Sequence, residues 1–293
     1  MREAWAGRAR KEKEEEEEDE EEERAIMSKA LYRAMLKLNV GKIIGYASGN
    51  ALYGLLLTTV YPSIAGSPAA AEIAGSFPAT VKSVFGVSDE ADLSTFESYI
   101  SGQFFSRIWV LVMSVYGIGT AQSLLADLLE RGFLAYPLAA PLSRREIALT
   151  QSAVLLTGCA TLTGVTLLGV TWGCHRQGIG ISLWRYYRLG ILGFSFFSAL
   201  ASYSLFFSAV APGRGQALFW AAGLTLLFYG LDVVAGLSDK FRWLRRLTLF
   251  RFFRPQEILT GQSSTRDTLI LLGITAGMLV LTAEGFNRRD LPV

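Results

Sequence analysis

The residues with chemistry to offer fall into three groups. The first is a charged set, Glu130, Arg131, Arg144 and Arg145, which brackets the segment "GFLAYPLAAPLS", Gly132 to Ser143. Guanidinium and carboxylate groups placed this way can make charge-assisted hydrogen bonds to a complementary surface. The second is Asn50, Arg107 and Asp232, polar side chains lying within or at the edge of long apolar runs. Such groups are costly in hydrocarbon and face a bundle interior or a cavity, which makes Asn50 and Asp232 candidate pathway residues. A structural hydrogen bond inside a bundle would account for Asp232 equally well, and Arg107 reads as a side chain snorkelling at a span end. The third is Cys174 beside His175, the single histidine. One cysteine and one histidine fall short of a zinc ligand set, so the pair reads as an interfacial polar turn.

Covalent chemistry has little support. The Gly41-Lys42 pair lacks the upstream glycine and the following Ser or Thr that cradle phosphates and magnesium, so no P-loop is present. HExxH, paired-cysteine and dinucleotide fingerprints are absent as well. Cys159 and Cys174 lie on one expected helix about 22 Å apart, too far to bridge. A serine–histidine hydrolase would have to recruit His175 from the end of an apolar run. Binding and conformational change remain, with no metal and no cofactor on this chain.

The elements that must position these residues follow from hydropathy. Of the 293 residues 51% are apolar and 18% charged, and the charges are clustered. Six runs approach or exceed the roughly 20 residues that cross a bilayer as a helix. They are Ile43 to Ala71, Ile108 to Ala126, Ile147 to Cys174, Leu189 to Pro212, Gly215 to Ser238 broken by Asp232, and Thr268 to Phe286 broken by Glu284. Hydrocarbon offers no partner to a backbone amide, so each run must be helical. The fold class is all-α: a polytopic six-transmembrane-helix bundle spanning 27–293 as one domain, with a short amphipathic cytoplasmic helix between the second and third spans.

Residues 1–26 form an acidic low-complexity tail, expected to stay disordered or isolated because like charges repel and remain solvated. No signal-peptide pattern precedes the first run. Met27 marks either a native start or the point where the membrane architecture begins. It opens "MSKALYRAMLKLNVGK", a basic amphipathic stretch with Leu31, Met35 and Leu38 on one face, expected to lie along the membrane surface. Capping boxes are expected at Ser94–Glu97 and Ser143–Glu146, and a looser one at Ser264–Asp267. GxxxG pairs at Gly45/Gly49, Gly169/Gly173 and Gly273/Gly277 hint at close helix packing. For orientation, positive residues tie at eleven on each side of the expected topology. The basic stretch before the first span favours cytoplasmic termini; the Arg-rich 240–254 segment opposes them.

Between the second and third spans, Leu128, Leu129, Phe133 and Leu134 are placed to face membrane or bundle, and Asp127, Glu130 and Arg131 to face water. Gly132 permits close approach, Pro137 and Pro141 end the local helix, and Ser143 caps the next. This stretch, "LLERGFLAYPLAAPLSRREIALTQ", resembles type-2 ABC transporter permeases, with an acidic residue and a glycine ahead of a Leu-rich turn, a proline, a Ser-Arg pair and a span. "TVYPSIAG", "STFESYISGQFFS" and the closing "FNRRDLPV" extend the resemblance over nearly the whole chain from Met27. Phe133 departs from the family's usual small polar residue, and the Arg-rich segment is more basic than usual.

The resemblance implies the permease subunit of an ATP-driven exporter in the cell membrane. Glu130, Arg131, Gly132, Pro141, Ser143, Arg144 and Arg145 would belong to its coupling region. ATP and Mg would sit on a partner ATPase subunit. A second copy or a related permease would complete the dimer, and lipid rather than nucleic acid would surround it. The competing readings are a membrane interaction or scaffold protein without transport, and an intramembrane enzyme dependent on His175. Cysteines introduced at Ser88 and Ser143 in a cysteine-free background are expected to label from opposite membrane sides. Labelling of both from one side would refute the six-span topology.

Overall fold

A computed structural model describes residues 2–65, 95–130, 142–237, 239–262 and 264–289, with side chains omitted at 2–23, 64, 65 and 239. Helix α1 (Arg2–Ala65) carries the first span and is continuous through the boundary at residues 26 and 27. The stretch from Met27 to Lys42, expected to lie flat on the membrane, instead prolongs the spanning helix. Two long-range bonds hold it upright, Ser28 Oγ to Thr150 Oγ1 at 3.0 Å and the Tyr32 hydroxyl to Thr157 Oγ1 at 2.9 Å. Leu31 and Met35 pack against the core as their spacing predicts, but Leu38 is 72% exposed. Asn39 takes the inward position and donates to the Met35 carbonyl. From there Ile43, Ala47, Asn50, Gly54, Thr58 and Tyr61 continue the buried line at intervals of three or four, one stripe of a straight helix.

The second span is assembled from four pieces. Helix α2 (Phe96–Ile100) leads into a π-helical stretch (Ser101–Ile108), then α3 (Trp109–Leu124) and α4 (Ala126–Glu130). Thr95 is the N-cap of α2 and makes no side-chain cap bond; Ser94, the expected capping serine, lies outside the described residues. The third span, α5 (Arg144–Arg176), starts at the box expected for it. The Ser143 amide donates to Glu146 Oε2 at 2.5 Å, and the Glu146 amide donates to Ser143 Oγ at 3.2 Å.

Helices α6 (Leu183–Val210), α7 (Arg214–Leu237) and α9 (Thr265–Asn287) supply the remaining spans. Between α7 and α9 run two 3-10 segments, Asp239–Leu247 and Leu249–Phe252, and the short α8 (Pro255–Leu259). Ser264 occupies the N-cap of α9 without a side-chain bond, contrary to expectation. The third residue on is Asp267, shorter by a methylene than the Glu or Gln that closes such a box. Among the described residues there is no strand, and six helices are long and apolar enough to cross a membrane.

Helix α6 sits at the centre, packed by α9, α3, α5 and α7, while α1 lies outside against α5. Lipid offers little driving force for helix association, so close packing through small residues matters. One of the three GxxxG pairs does this. A Cβ on Gly169 would stand 2.9 Å from the Ala51 backbone, and one on Gly173 would collide with Thr58. Gly45, Gly49, Gly273 and Gly277 meet nothing within 4 Å. Outward faces carry Leu52, Leu111, Leu168, Phe219, Leu226, Leu269 and Val280, an apolar surface suited to acyl chains. Gly169→Val is expected to push α1 from α5 and cost about 1–3 kcal/mol. Gly273→Ala should be close to neutral. Melting of the detergent-purified chain checks both, and equal tolerance would show that the α1–α5 contact is not tight.

Candidate functional site

Glu130, Arg144 and Arg145 of the charged set gather at the end of the bundle where α4 finishes, α5 begins and α9 ends. This end is set by a break in the second span. At Leu125 the backbone leaves the helical region, with φ −127° and ψ −60°. The Ala126 amide freed there donates to Ser208 Oγ of α6 at 2.9 Å. Close by, Gln122 Nε2 reaches the Ser204 carbonyl at 3.4 Å. A buried amide needs such a partner, so the serine makes the break tolerable. The result is a separate short helix, α4, that carries Asp127 and Glu130 out of line with α3.

Of those two carboxylates, expected to face water, Glu130 is exposed and Asp127 is partly buried, and both bond to α7. Arg214 Nη1 donates to Asp127 Oδ1 at 3.3 Å, and the Arg214 amide donates to Glu130 Oε2 at 3.3 Å. This is the free N-terminus of α7, where an anion is favoured by unpaired amides and by the helix dipole. Leu128 and Leu129 pack on the core as predicted. Arg131, Gly132 and Pro141 lie outside the described residues, as do Phe133, Leu134 and Pro137.

Arg144 and Arg145 open α5 and reach across to the last helix. Arg144 Nη1 donates to the Arg289 carbonyl at 2.7 Å, and Arg145 Nη2 pairs with Glu284 at 2.7 Å. Glu284 is shared with Arg288, also at 2.7 Å. Arg289 in turn caps α6, donating to the Ala209 carbonyl at 3.0 Å and the Pro212 carbonyl at 3.2 Å. Partial burial lowers the Arg289 pKa from its usual value. A guanidinium at a helix C-terminus satisfies carbonyls that have no intrahelical partner. Sequence reasoning missed Glu284, Arg289, Arg214 and Ser208 as members of this group. The available signal was Glu284, the one charge in the last apolar run, and the "NRRD" that follows.

The two candidate pathway residues are not brought together. Asn50 is fully enclosed on α1, and neither amide atom has a hydrogen-bond partner. Asp232 lies on α7, which does not pack on α1. Its Oδ1 accepts from Arg245 Nε at 3.0 Å. It also lines an open cavity of about 460 Å³ with Ser106, Arg107, Tyr229 and Arg254. Asp232 therefore makes an ion pair and lines a cavity. Arg107, expected at a span end, lies instead within the second span, in its π-helical stretch. Cys159 and Cys174 are buried free thiols on α5.

Six membrane-spanning helices, a broken second span and a self-bonded charged end define a multi-pass membrane protein of the permease type. The chain belongs to the ABC-2 family of transporter proteins, whose description matches residues 47–291. Membership makes it a permease component of an ABC transporter; the family is one of membrane subunits that in general have an ABC ATPase as partner. Among curated proteins no relative matches it.

Ser208→Ala should leave the Ala126 amide buried without its acceptor, at a cost of about 1–3 kcal/mol. The expected readouts are a lower melting temperature and faster hydrogen exchange at Ala126. Unchanged exchange would show that the break does not depend on the serine.

Proposed function

We propose that the chain is the transmembrane permease of an ATP-binding-cassette exporter in the cell membrane, with both termini cytoplasmic. It forms the path as a homodimer or with a related permease and couples to a separate ATPase subunit that holds ATP and Mg. The observation that carries the reading is the clustering of Glu130, Ser143, Arg144 and Arg145 at the broken end of the second span, within a chain of the ABC-2 family. Together with Arg131, Gly132 and Pro141 they form the coupling region. A short helix beyond a backbone break can move as a unit when a partner pulls on it. The internal bonds of Arg144 and Arg145 to α9 then carry that motion to α9 and, through Arg289, to α6. ATP binding does work here only by favouring one of two bundle arrangements over the other. Asn50 and Asp232 are proposed to face the translocation path.

Arg145 is more than half exposed, so its remaining donors are open to an acidic surface on the ATPase. The double variant Arg144→Ala, Arg145→Ala should weaken co-purification of the ATPase by about 2–5 kcal/mol. Glu284→Gln removes the internal partner and keeps both arginines, so it should retain the ATPase while lowering transport-linked hydrolysis. Insertion is verified in each variant by cysteine labelling at Ser88. A correctly inserted double variant that keeps its ATPase and full transport would reduce the segment to a connector and favour a scaffold role.

A further inference from the structure

At the end of the bundle opposite Arg144, the chain between α7 and α8 folds into an arginine-lined cleft. The first 3-10 segment and the residues after it place Arg242, Arg245, Arg246, Arg251 and Arg254 with Trp243 around an open space of about 350 Å³. No carboxylate is among the described residues lining it. The two nearest described acids lie in the neighbouring cavity, where Asp232 holds Arg245 at 3.0 Å and Glu257 holds Arg254 at 2.8 Å. These pairs orient Arg245 and Arg254, while Arg246 and Arg251 make no ion pair among the described residues. Arg251 is braced over the Phe252 ring, 4.8 Å from its centre.

The cleft is also built into the bundle. Phe253 stacks on Phe196 with ring centres 4.6 Å apart and meets Trp109 at 6.0 Å, and Leu249 is buried. Arg185 and Arg188 of α6 hold the far edge through the Leu259 and Gln262 carbonyls, at 2.9 and 2.8 Å. Gly261, at φ +106°, makes the left-handed turn that brings those carbonyls round. Beside the arginines, Phe241, Trp243 and Leu247 are exposed on the segment that directly follows the spanning helix α7. Exposed aromatics next to arginines suit the boundary between acyl chains and headgroups. A guanidinium fork binds a phosphate bidentately, which a diffuse lysine patch does not.

We propose that this cleft is a binding site for the phosphodiester headgroup of an anionic phospholipid, with Phe241, Trp243 and Leu247 against its acyl chains. The site takes a lipid rather than a free phosphate because the apolar side chains continue from the cleft onto the lipid-facing surface. It makes no use of the coupling end and stands whichever way the bundle is oriented.

The test is native mass spectrometry of the full chain in neutral detergent, titrated with phosphatidylglycerol, with phosphatidylcholine, or with inorganic phosphate. The unaltered chain should retain phosphatidylglycerol over phosphatidylcholine, and inorganic phosphate should not displace it. Arg246→Gln with Arg251→Gln should weaken retention by about fivefold per arginine, or about 25-fold for the pair. Arg266→Gln, at the start of α9 and outside the cleft, should leave it unchanged. Equal retention of the two lipids, displacement by phosphate, or an equal loss with Arg266→Gln would overturn the assignment. The lipid comparison on the unaltered chain decides the matter even if the double variant misfolds.

Discussion

Helix α6 is buried over most of Leu192 to Ala209 with little face toward lipid, and the rest of the bundle is arranged by that fact. A helix enclosed on every side cannot be amphipathic, and it must admit four neighbours at close range. It does so with small residues. Gly193 leaves room for the Trp109 ring, and Gly117 of α3 rests against Ala201. Serines occupy the other close contacts, and Ser195, Ser202 and Ser204 return their hydroxyl protons to carbonyls one turn back. This removes their polar cost without a second helix, at the expense of slightly distorting the helix. Ser208 is the exception, because its oxygen is turned to the Ala126 amide of the second span.

The ends of α6 are held differently from its middle. Arginine-to-carbonyl bonds recur at both. Arg289 closes the C-terminal end, and Arg185 and Arg188 of α6 itself close the end of α8 at the other. Guanidinium suits this because its several donors satisfy free carbonyls while the charge meets the negative end of a helix dipole. The bundle is thus fixed at two polar ends around an interior held by packing and by a few buried bonds, such as that between Tyr203 of α6 and Thr225 of α7. The irregular pieces, the π-helical stretch and the break at Leu125, both fall in the second span, which links one end to the other. Departures from regular α-helix of this sort often mark segments that change shape. Here the break precedes α4, and the π-helical stretch borders the cavity that holds Arg107.

A polar group's worth depends on which end it occupies. Glu284 joins Arg145 and Arg288 at an exposed surface, where ion pairs contribute little to stability and serve better as positional ties. Asn50 is enclosed with no partner, a costly arrangement that a packed interior does not keep without reason. The arginines of the 242–254 segment lie between these cases, half-exposed beside an aromatic core. Beneath them Phe250, Phe253 and Leu259 pack the segment onto the bundle.

The sequence by itself determined the class, the six spans, the cap at Ser143 and the family, because each depends on residues close together along the chain. Twenty apolar residues must form a helix in lipid whatever lies beside them, and a serine three positions before a glutamate makes its box locally. Tertiary structure decided which glycine pair packs, because Gly169 and Gly273 look alike until Ala51 is placed against one of them. It also decided that Met27 to Lys42 stands upright, since Ser28 and Tyr32 find Thr150 and Thr157 more than a hundred residues away. Asp127 and Glu130 met Arg214, Arg144 and Arg145 met α9, and Asp232 met Arg245 for the same reason. Hydropathy and capping are local energies. A charge finds its partner through the fold, and nothing in its own neighbourhood names that partner.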